Sequence, residues 1–133
     1  MRRGETTHTE RKKAAAALRR AGKDGNMAIE KMTAARFERE VLQAKGAVLV
    51  EFSAPWCGYC RRLAPVLARM DGAAGTPPIA LVDIDEEPQL AERYGVEVIP
   101  TLLLFQNGEH GERLIAPGSQ AQVEAWLKKE QEA

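Results

Sequence analysis

The amino-acid sequence predicts an α/β protein, a central mixed β-sheet of four to five strands with helices on both faces. Three observations carry this expectation. Short, nearly continuous apolar runs alternate with windows in which apolar residues recur at helical spacing. An Asn-Gly pair joins the last two strand candidates, so the alternation ends in an antiparallel hairpin. The 133 residues, 44% of them hydrophobic, suit one domain that can bury a core without disulfide or metal staples.

The elements follow in order. Residues 1–26 carry eight Lys/Arg against three Asp/Glu. Arg11–Ala21 favours helix by composition, but Leu18 is its one large apolar residue, so no face can be buried. This stretch is expected to be a basic, flexible tail, with Gly22 to Asn26 as linker and Met27 as an alternative start. Residues 27–133 form the expected domain. Ala28–Met32 is a weak strand candidate. Thr33 is placed to cap a helix over 34–44, with Phe37, Val41 and Leu42 on one face. Ala47–Phe52 reads as a central strand, apolar on both faces except for Glu51.

Leu63, Val66, Leu67 and Met70 recur at i, i+3, i+4 and i+7, which marks a helix with Arg61, Arg62 and Arg69 turned outward. Gly72 ends it, and Pro65 inside it is expected to kink it. Ile79–Ile84 is the next strand. Pro88 opens and Gly95 closes a short helix carrying Leu90 and Tyr94. Thr101–Phe105 is a third apolar strand. Asn107-Gly108 turns the chain, and Arg113–Ala116 returns it. Ser119 and Gln122 form a capping box for a last helix with Val123, Trp126 and Leu127.

Charge and hydropathy exclude several functions. The basic tail (+5) is offset by an acidic body (−5), which argues against nucleic acid as the main partner. No run approaches the roughly 18 apolar residues of a membrane span. No apolar stretch follows the N-terminal arginines as in a signal peptide, so a cytoplasmic protein is expected. Two cysteines with only His8 and His110 elsewhere, both far along the chain, make a poor zinc set, and no metal is expected.

The chemistry lies in Val50-Glu51-Phe52-Ser53-Ala54-Pro55-Trp56-Cys57-Gly58-Tyr59-Cys60. A buried strand ends, a short loop follows, and a helix begins near Gly58. Cys57 therefore sits at a helix N-terminus, where free N–H groups and the helix dipole favour a thiolate. The thiolate is the reactive form. Cys60 lies one turn on, within bonding reach. In that arrangement Cys57 would attack a substrate disulfide, and Cys60 would resolve the mixed disulfide. Glu51 is the one charge in an apolar run; burial there would raise its pKa and let it exchange protons with Cys60 near neutral pH, whereas at a strand edge it would reach solvent.

The segments Ala54-Pro55-Trp56-Cys57-Gly58-Tyr59-Cys60, with Arg61-Arg62-Leu63-Ala64-Pro65 after it, and Arg93 to Gly108 resemble thioredoxin and the catalytic domains of protein disulfide isomerase. The resemblance spans about residues 27–130 and implies the thioredoxin fold. It implies that Ile99–Pro100 is a cis-proline loop facing the cysteines, with Ile99 offering backbone groups to a substrate strand. It sets Trp56 beside the nucleophile and Glu51 as the buried acid. Gly58 and Tyr59 fall in the same substrate-contacting segment. It further implies protein disulfide substrates, a thioredoxin-reductase-like electron donor, a monomer, and no cofactor on this chain.

Three departures stand out. Tyr59 replaces the proline of thioredoxin and keeps a backbone N–H, which would stabilise the thiolate and make the pair more oxidising. Leu81 stands where many thioredoxins place a lysine. Ala116 and Pro117 replace a glycine-containing turn along the groove. A more oxidising disulfide exchanger and a binding module without turnover therefore stay open beside the reductase.

Overall fold

The computed structural model describes residues 29–132. The expectations for the tail and for Met27 lie outside the described residues. The sheet is built around β2 (Ala47–Ser53), whose five inner residues are all buried. It pairs in parallel with β3 (Ile79–Asp83), which pairs in parallel with the two-residue β1 (Glu30–Lys31). On its other side β2 runs antiparallel to β4 (Thr101–Gln106).

The returning strand differs from the expected Arg113–Ala116. It is split into β5 (Glu109–His110) and β6 (Leu114–Ile115), and both pair with β4. The sheet thus has six strands across five positions. Residues 111–113 leave the sheet between them. The turn before β5 has positive φ at both Asn107 and Gly108, the geometry a two-residue hairpin needs. A side chain at Gly108 would come within 2.9 Å of the Leu42 carbonyl, so the hairpin can lie against that helix end only with glycine there.

Period-two alternation sends β2 into two cores. Val48, Val50 and Phe52 face one layer, closed by α1 (Ala34–Phe37) and α3 (Pro88–Arg93) through Phe37 and Leu90. Leu49 faces the other, closed by α2 (Gly58–Met70) and α4 (Gln120–Glu132) through Leu63, Leu67, Val123 and Leu127. The expected helix over 34–44 is α-helical for one turn, capped by Thr33 Oγ1 on the Arg36 N–H. It then widens to π-helical hydrogen bonding over Glu38–Leu42. That widened turn still brings Phe37, Val41 and Leu42 to the same core.

Helix α2 continues through Pro65 to Met70, because the proline lies on the exposed face and its missing N–H costs one exposed bond. Ser119 Oγ accepts the Gln122 N–H, and the Gln122 side chain accepts from Gly118 N–H. This reciprocal cap starts α4.

Candidate active site

The end of β2 delivers the chain to the start of α2 through Ala54, Pro55 and Trp56. Cys57 is the N-cap of α2. Its backbone is extended (φ −86°, ψ 112°), its N–H donates to the Ala54 carbonyl, and its carbonyl accepts the Arg61 N–H. Its sulfur accepts the Cys60 N–H at 3.1 Å. The donor reaching this sulfur is thus the Cys60 amide. Such a bond strengthens when the acceptor is charged.

Both thiols are free and both are buried, Cys57 just under the surface. The Cys57 thiol points toward the Ile99 carbonyl, 4.0 Å away. The Ile99–Pro100 peptide bond is cis, and Pro100 is buried. Gly58 opens the helix as its first residue.

Trp56 is 64% exposed, yet its indole N–H donates to Asp85 Oδ2 at 2.8 Å, which fixes the ring at the rim. Val98 and Ile115 are the other large exposed apolar residues among those described, at 52% and 46%. They flank the cis-proline loop and the turn at Ala116. The exposed apolar surface of the described residues therefore gathers around Cys57.

Glu51 lies on the same face of β2 as Leu49, the face that packs against α2 through Leu63 and Leu67. It is 4% exposed, so it is no solvent-reaching carboxylate, and its Oε2 is buried without a hydrogen-bond partner. Burial pushes its pKa up to about 8. Burial likewise pushes the Cys60 thiol up to about 11, aided by its contact with Cys57. Hydrogen bonds from the Ser53 side chain and the Ala54 backbone oppose that rise.

Ser53 was not among the residues the sequence singled out. The signal was present: two residues after Glu51, it continues the same face of the strand with a second polar side chain. A cavity of about 270 Å³ adjoins Cys60 here, lined by Ser53, Ala64, Leu81, Lys31 and Asp83 among others. Lys31 is the cross-strand neighbour of Leu81, and its ammonium is held by Glu86 at 3.1 Å and Asp83 at 3.9 Å. Among the described residues no three His, Cys, Asp or Glu side chains gather as a metal set. No described helix is long and apolar enough to cross a membrane.

Two free thiols one helical turn apart, the first capping the helix, can exchange with a disulfide; the chain is a thiol–disulfide oxidoreductase. Residues 28–129 match the family model described as Thioredoxin. The thioredoxin of Rhodospirillum rubrum is 37% identical over 101 residues, 75% of this chain and 97% of that protein. The thioredoxin of Porphyra purpurea is 35% identical over 104 residues, 77% and 97% of the two chains. Thioredoxin 1 of a Nostoc species is 36% identical over 103 residues, 77% and 96%. The chain belongs to the thioredoxin family.

Proposed function

We propose that the enzyme reduces protein disulfides, with Cys57 as the attacking nucleophile and Cys60 as the resolving thiol. The Cys57 thiolate attacks one sulfur of the substrate, forming a Cys57–substrate disulfide and releasing the other substrate sulfur as a thiolate. Cys60 then loses its proton and attacks the Cys57 sulfur. A Cys57–Cys60 disulfide forms, and the second substrate sulfur leaves as a thiolate. The substrate gains two electrons and the dithiol loses two. A thioredoxin-reductase-like partner returns them.

The observation that carries this reading is the asymmetry of the pair. Cys57 caps the helix beside the apolar rim of Trp56, Val98 and Ile115, while Cys60 lies inside the first turn, a thiol whose pKa burial raises. Glu51, held near pKa 8, takes the Cys60 proton. Ile99 backbone groups and Pro100 present the substrate strand to Cys57, and Trp56, Gly58 and Tyr59 border it. Such a reductant suits the cytoplasm, where thiols are kept reduced, acting as a monomer.

A Cys60→Ser variant should accumulate a stable mixed disulfide with a peptide disulfide, seen by mass spectrometry, and a Cys57→Ser variant should not. Retained turnover in Cys57→Ser would sink the assignment.

A further inference from the structure

Three backbone segments are tied together at this site: the start of α2, which carries Cys57, the loop at Ile99–Pro100, and the turn at Ala116–Pro117. The last two are joined by backbone, with the Ala116 N–H donating to the Pro100 carbonyl at 2.9 Å. The first and third are joined by one side chain. The Tyr59 hydroxyl donates to the Ala116 carbonyl at 2.7 Å and lies 3.1 Å from the Pro117 carbonyl, which shares the proton. Disulfide exchange needs no phenol at this position.

We propose that Tyr59 is a specificity-determining latch. Its hydroxyl closes one end of the substrate groove, so an extended polypeptide disulfide must displace it and a small disulfide need not. This rests on the reading of the groove given above.

The physical case has three parts. First, extended peptides bind by pairing with free backbone groups. Ala116 lies beside the cis-proline loop, and its carbonyl is occupied by Tyr59 while the latch is shut. Second, the turn is held from both ends in an unusual conformation. Ala116 has φ +48°, a region that a residue with a Cβ enters only when its surroundings impose it. Its N–H is tied to Pro100 and its carbonyl to Tyr59, so the phenol holds half of that geometry. Third, the ring is itself held. The Arg62 guanidinium sits over it, 5.1 Å from the centroid, and ring and turn together line a cavity of about 310 Å³ with Leu63 and Val66.

A bound state reached only by breaking the latch is weakened by the fraction of time the latch is shut. One partly exposed neutral hydrogen bond corresponds to a factor of about three to ten.

The test compares wild type with Tyr59→Phe on two probes of the same disulfide chemistry. One is the disulfide dimer of N-acetylcysteine amide. The other is the disulfide dimer of a dodecapeptide with a central cysteine. Phenylalanine keeps the ring and the backbone N–H and removes only the hydroxyl. The ratio of kcat/KM for the long probe over the short one should rise about three- to tenfold in the variant. A change in redox potential or in Cys57 reactivity acts on both probes alike and cancels in the ratio. An active wild type whose ratio is unmoved or lowered by the substitution overturns the latch alone. A wild type that reduces neither probe overturns the groove reading on which the latch rests.

Discussion

The two faces of β2 differ in kind. On one face Val48, Val50 and Phe52 enter a core dominated by apolar and aromatic side chains, where Phe37, Phe105 and Tyr94 meet edge-on or tilted at 5.3–5.8 Å. On the other face the same strand reads Leu49, Glu51, Ser53. This face carries the buried carboxylate of Glu51, one oxygen of it unpartnered, and Ser53, which lines a cavity with Cys60. Stability alone would favour the first pattern on both sides. One strand can carry a packed core on one side and a buried titratable group on the other, because period-two alternation keeps them on opposite faces of the sheet.

Damage to one face, read out on the other, tests whether the two are separable. Phe105→Ala empties a fully buried position among aromatic rings and should cost about 3–5 kcal/mol in denaturant unfolding. At temperatures where the variant stays folded, its mixed-disulfide chemistry should be nearly intact. A collapse of that chemistry without loss of stability would show that the faces are not separable.

Glu51→Gln should give an effect that changes with pH. The folded-state pKa of about 8 lies above the ordinary value of 4.5. Between those values the folded chain holds a proton that the unfolded chain releases. This contribution is therefore most favourable below about pH 4.5 and is lost as pH rises toward 8, at about 1.4 kcal/mol per pH unit. Glutamine stays neutral throughout, so the variant should lack that slope when unfolding is followed across the window. Parallel wild-type and variant curves would mean that Glu51 does not hold the proton. The resolving step should also lose its rise through pH 8.

Ser53→Ala is the mildest of the three. Removing the hydroxyl that favours the Cys60 thiolate should raise that thiol further and slow release from the mixed disulfide about three- to tenfold. Attack by Cys57 should be little changed, and Ser53→Thr should restore the rate. Stopped-flow separation of the two steps decides it.

Much of this was legible from local pattern. The run Ala47–Phe52 marked the central strand because a strand buried on both faces has little room for polar side chains. The interruption at Glu51 then stood out. The C-x-x-C spacing before a run at i, i+3, i+4 and i+7 put Cys57 at a helix start, and the structure makes it the N-cap. The divided return strand was hidden, since nothing in Glu109 to Ala116 says how many residues leave the sheet before β4 is rejoined. The switch to π-helical bonding was also hidden, because Phe37, Val41 and Leu42 reach one core with either winding.

The role of Tyr59 shows the same limit. Read in sequence, it mattered for the backbone N–H that proline lacks. Folded, its hydroxyl spans to carbonyls 57 and 58 residues away, while the Cys57 sulfur takes its hydrogen bond from Cys60. By itself the sequence determined what depends on neighbours within one turn or one strand: the order of elements, the thiol at the helix start, the acid in an apolar run. Tertiary structure alone decided which distant groups complete the site, namely Ser53 on Cys60, Asp85 on Trp56, and Ala116 on Tyr59. A hydrogen bond needs its partners placed to within a few tenths of an ångström, and only the packed sheet and helices supply that placement.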